Sequence, residues 1–184
     1  NLPSVGLELM LTTGLMNHFL PEIVAGRGFH QNRHHNFDVF THTMVAVDNM
    51  KGDSVLRFAA LMHDVGKPVT ATPHPNYPGE SQFLRHEDVG AEMAETICNR
   101  LRMSGDDRTR VVALTRYHMD LFPFARGECS MSAYRRLVRR VTPELMPDQL
   151  ALAAADIVGK GTGEDPDVSL AEIRATVERV LAEK

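Results

Sequence analysis

Ser54-Val55-Leu56-Arg57-Phe58-Ala59-Ala60-Leu61-Met62-His63-Asp64-Val65-Gly66-Lys67-Pro68 is an apolar helical run that ends on an imidazole and a carboxylate side by side. Leu56, Ala59, Ala60 and Met62 recur at helical spacing, and Gly66 and Pro68 mark where the helix must stop. Adjacent helical side chains diverge by only about 100°, so His63 and Asp64 can converge on one ion at the helix end. Gly66 leaves the backbone room to turn away, and Lys67 puts a cation beside that ion.

Upstream, a helix is expected from about Asp38, with Val39, Val47 and Met50 inward and Gly52 and Asp53 at its end. It carries His42 in its first turn, within Phe40-Thr41-His42-Thr43. Two consecutive antiparallel helices would set that turn beside the last turn of the next one. Downstream, Asp156 lies in an otherwise apolar stretch with Leu150, Leu152, Ala153, Ala154, Ala155, Ile157 and Val158. A carboxylate is costly to bury there without a cation or strong donors. His42, His63, Asp64 and Asp156 thus form the expected metal ligand set. Two imidazoles and two carboxylates suit Mn, Fe, Co, Ni or Zn, with Mg also admissible. One ion is expected. His86 and His118, at the ends of the next two expected helices, offer a second site bridged by Asp64 or a direct contact to a substrate phosphate. The expected catalytic groups are Asp64, Lys67, His86 and His118. Arg33, His34 and His35, in a Gly-, His- and Asn-rich loop, are the expected substrate contacts.

The rest of the chain reads as helix. Ser4 is the expected cap of a first helix with Leu7, Leu11 and Leu15, stopping near Pro21. Residues 86–102 place Val89, Met93, Ile97 and Leu101 on one stripe. A helix capped by Asp106 or Asp107 runs to His118, a loop covers Asp120 to Gly127, and shorter helices fit 131–141 (capped by Ser130) and 144–159. Ser169 and Glu172 have capping-box spacing before a last helix, about 168–182. No period-two alternation marks a strand, and no repeat or linker divides the chain. The expectation is one all-α bundle over residues 1–184, with a metal-binding core at about 36–160.

Composition agrees. The 184 residues are 43% hydrophobic, lack Trp and are rich in Leu, Ala, Met, Arg and Glu, all but the last two apolar and all good helix formers. Cys98 and Cys129 form no close-spaced pair, which excludes a Cys-based zinc site and a disulfide scaffold. No stretch is long and apolar enough to span a bilayer, so a cytoplasmic location is expected. The net charge of −4 hides a basic sector: Arg100 to Arg140 holds ten Arg against Asp106, Asp107, Asp120 and Glu128, a balance of +6. Such a sector attracts phosphate-rich partners, or simply forms solvated helix faces. The chain opens on Asn1 rather than Met, as expected of a piece of something longer.

These residues resemble a known family. His42, His63-Asp64 and Asp156 match the H…HD…D signature of HD-domain phosphohydrolases, which are metal-dependent and all-helical. Asn32 to Thr43, Leu61 to Pro68, His86-Glu87-Asp88-Val89-Gly90-Ala91, Ala154-Ala155-Asp156 and the order Asn99 to Arg102 then His118 are similar to bacterial tRNA nucleotidyltransferases of the CCA-adding and poly(A) polymerase group. In that group the HD domain follows a nucleotidyltransferase head. The resemblance implies a phosphodiesterase or phosphatase, using nickel or magnesium-like metals, with 2′,3′-cyclic phosphates, 2′-nucleotides and RNA 3′ ends as substrates. The head's Gly-Ser pair with paired aspartates has no counterpart here, so CCA addition is not assigned to this chain. The resemblance covers residues 5 to 160, and the last helix lies beyond it. The competing expectation is a non-catalytic, metal-stabilised module that binds tRNA through Arg135, Arg136, Arg139 and Arg140, or that dimerises. A triphosphate-gripping nucleotide hydrolase would need more cations around the metal than Lys67 and Arg33. The oligomeric state is left open.

Overall fold

A computed structural model describes residues 2–127 and 129–183. Asn1 and Glu128, both used in the sequence reading, lie outside the described residues, as do Lys184 and the side chain of Arg126. The elements in chain order are α1 (Pro3–Thr12), α2 (Met16–Phe19), α3 (Pro21–Val24), α4 (Val39–Asn49), α5 (Ser54–Met62), α6 (Lys67–Thr70), β1 (Thr72–Pro73), β2 (Ser81–Gln82), α7 (His86–Arg100) and α8 (Gly105–Tyr117). A 3-10 helix (His118–Arg126) follows, then α9 (Met131–Val141), α10 (Met146–Gly159) and α11 (Pro166–Ala182). The all-α expectation holds.

Three antiparallel pairings position the site. α4 and α5 form a hairpin, α7 and α8 a second, and α10 packs along α4. The caps are local. Asp38 accepts from Thr41 N at 2.7 Å to start α4, and Asp53, expected to end α4, instead accepts from Leu56 N at 2.9 Å to start α5. The apolar faces of α4, α5, α7, α8 and α10 bury Met44, Val47, Leu56, Ala60, Ile97, Leu114 and Leu152 in one cluster. A second cluster, with Tyr134, Leu137, Val141, Ile157, Ile173 and Val177, fastens α9 and α11 onto the outer side of α10.

Several boundaries differ from the expectation. Leu2, not Ser4, stands at the N-cap of α1, because Ser4 spends its N–H and hydroxyl on Asp48 at 2.9 and 2.6 Å. That helix ends at Thr12 and the chain turns through Gly14 at φ +78° before two short helices. Ser104 caps α8 in place of Asp106 or Asp107, and Asp165 caps α11 in place of Ser169, whose hydroxyl donates to Glu164 at 2.6 Å. The stretch read as a loop after Asp120 is 3-10 helix. Thr72–Pro73 and Ser81–Gln82 pair antiparallel, too briefly for an alternation to show in the sequence. α5 stops at Met62, one residue before His63, and Pro68 starts a new short helix rather than only ending the old one.

Candidate metal centre

The helix pairings bring three ends to one level. His42 comes from the first turn of α4, His63 and Asp64 from the turn leaving α5, and Asp156 from the last turn of α10. His42 Nε2 lies 3.0 Å from His63 Nε2, 3.1 Å from Asp64 Oδ2 and 3.1 Å from Asp156 Oδ1. His63 Nε2 is 3.3 Å from Asp64 Oδ2 and 3.8 Å from Asp156 Oδ1. All four residues are buried. Ligands at about 2.1 Å from one ion and about 90° apart lie about 3 Å from each other, so all these separations except the wider His63–Asp156 one suit adjacent corners of an octahedral shell.

A second group shares Asp64. His86, the first residue of α7, and His118, which follows α8, place their Nε2 atoms 3.1 Å apart. They lie 3.4 and 3.6 Å from Asp64 Oδ1. Asp64 therefore turns one oxygen to each histidine pair, and each set, His42–His63–Asp64 and Asp64–His86–His118, has the spacing to hold a metal ion.

The tautomers are fixed by the backbone. A carbonyl only accepts, so Nδ1–H of His63, His86 and His118 must donate to Ala60, Phe83 and Thr115 O, at 2.7, 2.8 and 2.7 Å. In the neutral ring each Nε2 then carries the lone pair. Two lone pairs facing one another at 3.1 Å need a cation between them, which makes the donor set fit a metal. His42 Nδ1 is the exception, buried with no partner among the described residues.

Electrostatics point the same way. Burial opposes charge on His63, but Asp64 and Asp156 outweigh it and push its pKa up to about 10. Burial likewise opposes charge on His42, and hydrogen bonds to Asp156 and Asp64 raise it. Burial would raise both carboxyls, yet Asp64, beside His63 and Lys67, and Asp156, bonded to His42 and His63, are held well below the usual range. His118 is lowered, chiefly by burial. The cluster demands positive charge, either as protons on imidazole or as a metal ion.

Two glycines permit this convergence. A Cβ on Gly66 would sit 2.8 Å from Gly90 N and closer still to the His86 carbonyl oxygen. Gly66 thus lets the start of α7, with His86, close onto the turn that carries Asp64. A Cβ on Gly159 would lie 2.9 Å from the His42 ring. Arg85, just before His86, takes a left-handed φ of 61° to aim that helix start.

A cavity of about 740 Å³ opens over Asp64, Lys67, His86 and Asp156. Lys67 Nζ donates to Asp64 Oδ2 at 2.6 Å and to Gln31 Oε1 at 2.7 Å. Arg33, His34 and His35 all line the cavity, each differently. Arg33 pairs with Glu80 at 3.1 Å, 3.3 Å above the Tyr77 ring, and so ties its loop to the β1–β2 hairpin. His34 is exposed. His35 packs edge-on against His42 and bonds Asn32 Oδ1 at 3.1 Å, with its pKa driven down to about 3, mainly by burial. Gln31 carried no signal in the sequence. Lys160, which also lines the cavity, could have been found from its position one turn after Asp156.

Much of the basic sector is engaged internally: Arg100 with Glu22, Arg110 with Asp53 and Asp148, Arg116 with Asp88, Arg135 with Glu183 and Arg140 with Asp120. No helix among the described residues is long and apolar enough to cross a membrane.

Comparison with known proteins agrees with this geometry. A family profile described as "HD domain" matches residues 33–158. The A-adding tRNA nucleotidyltransferase of Deinococcus radiodurans is 34% identical over 182 residues, covering 96% of this chain and 40% of the relative. The CC-adding tRNA nucleotidyltransferase of Thermus thermophilus is 38% identical over 156 residues, 82% of this chain and 34% of the relative. A Multifunctional CCA protein of Cupriavidus metallidurans is 30% identical over 179 residues, 92% and 42% respectively. The chain thus spans about two fifths of the length of these relatives.

Proposed function

The chain belongs to the HD domain family, a superfamily of metal-dependent phosphohydrolases, and on that premise we propose that it hydrolyses phosphoesters of nucleotides or RNA 3′ ends, as a phosphodiesterase or phosphatase. The observation that carries this reading is the double role of Asp64, one oxygen toward His42 and His63, the other toward His86 and His118. His42, His63, Asp64 and Asp156 would hold the primary ion. A scaffold that used a metal only for stability would have little use for the second pair of lone pairs at the mouth of a cavity.

A bound divalent ion there polarises a phosphoryl oxygen and lowers the pKa of water. Mn, Fe, Co, Ni or Zn suit the mixed donors, and Mg remains admissible. The chain's own groups do the rest. The backbone carbonyls at Ala60, Phe83 and Thr115 engage Nδ1 and aim three Nε2 atoms at the centre. His86 and His118 hold a second ion or meet a phosphoryl oxygen. Lys67 lies against Asp64, balances its charge and orients that carboxylate in the centre. Asp64 is the carboxylate we assign to the base side of the reaction. Arg33, His34 and His35 line the approach, with Arg33 acting through its clasp on the hairpin.

A second reading is a non-catalytic module that positions tRNA. It is favoured by the names of the relatives and by Arg136 and Arg139 on α9, which have no carboxylate partner among the described residues. A cytoplasmic location fits either. The deciding experiment is hydrolysis of a 2′,3′-cyclic nucleotide and a generic phosphodiester with Ni, Mn, Co, Zn and Mg against chelator. Activity that returns with metal and is lost, with bound metal, in Asp64→Ala establishes the hydrolase. A metal-loaded but silent protein that binds RNA in a salt-sensitive manner supports the module.

A further inference from the structure

Among the described residues, the cavity over the centre is lined by three Lys or Arg residues, Arg33, Lys67 and Lys160. Two of them are neutralised in place. Arg33 is bonded to Glu80, and Lys67 to Asp64. Lys160 has no carboxylate partner among the described residues. Its ammonium instead lies 4.2 Å from the centroid of the Phe122 ring, on the cavity wall. An ammonium over a ring face is held in direction without being neutralised, so it stays available to an anion.

Its placement is specific. Lys160 follows Asp156 by one helical turn, so it stands on the same stripe of α10, beside the primary metal ligands. Phe122 follows His118 by four residues on the 3-10 helix, and with Lys160 it lines the same cavity as Asp64, His86 and Asp156. The Lys160 backbone is pinned as well. Its carbonyl accepts from Asn36 N at 2.9 Å, in the loop that carries Arg33, His34 and His35. Phe37 of that loop fills the space left open at Gly161.

We propose that Lys160, held by Phe122, is the subsite for a second phosphate, the one that precedes the ester at the metal centre. This rests on the phosphohydrolase reading and narrows its substrate class. The site then prefers the end of an oligonucleotide over a mononucleotide, because only the former carries a phosphate one nucleotide back. A lysine at a helix C-terminus also has a structural use, since a cation there complements the helix dipole. That use would show as stability alone, not as discrimination between ligands.

The test is calorimetric binding, in chelator so that no turnover occurs, of adenosine 2′,3′-cyclic phosphate and of a dinucleotide ending in the same cyclic phosphate. Wild type is expected to favour the dinucleotide about tenfold, the equivalent of 1.4 kcal/mol. Lys160→Met should bring that ratio close to one with mononucleotide affinity unchanged, and Lys160→Arg should restore much of it. Equal affinities in wild type, or a ratio preserved in Lys160→Met, overturn the subsite. Thermal melts of both variants separate a loss of folding from a loss of the ratio. Because binding is read without turnover, a protein that hydrolyses nothing yet keeps the ratio would defeat the hydrolase reading and leave the subsite standing.

Discussion

At the scale of single residues, glycine and backbone carbonyls matter as much as the ligands themselves. Gly66 has no Cβ to meet Gly90 N and the His86 carbonyl, and so Asp64 can face His86 and His118. Backbone, unlike a flexible side chain, has little freedom to yield. Gly66→Ala is therefore expected to cost roughly 1–3 kcal/mol by chemical denaturation and to lower the metal content of purified protein. An alanine variant with unchanged stability and full metal content would mean the close approach is not needed. The carbonyl partners of His63, His86 and His118 show why three imidazoles can crowd one carboxylate. Each ring is oriented from behind, so its Nε2 already faces the carboxylate before any ion arrives.

At the scale of elements, the site depends on where helices start and stop. Asp38 accepts from Thr41 N at 2.7 Å and from Gly28 N at 2.6 Å, so one carboxylate caps α4 and closes the loop before it. Asp38→Ala should cost about 1–2 kcal/mol in denaturant melts, and a smaller effect would show that water replaces the cap. The far end of α7 is fastened by Arg100, which donates to both Glu22 oxygens at 2.8 and 2.7 Å. That hydrogen bonding lowers the Glu22 carboxyl below its ordinary 4.5, against the opposing effect of burial. A lowered carboxyl contributes stability that is full above the unfolded value and is lost as pH falls through the folded one. Glu22→Gln should thus be less stable than wild type by about 0.5–1 kcal/mol at neutral pH and low salt. The two should converge in acid below 4.5. Denaturation at neutral and acidic pH checks this; a gap that persists in acid would assign the loss to packing instead.

At the scale of the whole molecule, the metal centre is where three antiparallel pairings agree. α4 with α5, α7 with α8 and α10 with α4 all end at the same level, and the apolar cluster beneath them keeps those ends together. Any ion that binds only the folded arrangement must stabilise it. At about 100 times its Kd, such an ion contributes about 2.7 kcal/mol, or roughly 5–10 °C in Tm for a chain of this size. Scanning fluorimetry with and without chelator should show that gain in wild type and its loss in Asp64→Ala. A Tm indifferent to metal in wild type would argue against a folded-state ion.

The sequence by itself determined the helical class, because helical spacing of Leu, Ala, Val and Met is a local property of the chain. It also picked out His42, His63, Asp64, Asp156, His86 and His118, since a polar ligand type set in an apolar helix or at its end has few other uses. Caps were less legible. Ser4, Asp106 and Ser169 all have the right chemistry, but Asp48, Ser104 and Asp165 settle their roles, and those choices depend on which neighbour arrives. The two-residue strand pair was invisible because it is shorter than any period. What only the tertiary structure decided is how the cavity's charges are spent. Arg33 is neutralised by Glu80, 47 residues away, and Lys67 is shared between Asp64 and Gln31, while Lys160 is left over an aromatic ring. Charge pairing across distant segments has no period and no fixed spacing, so it is set by the packed structure alone.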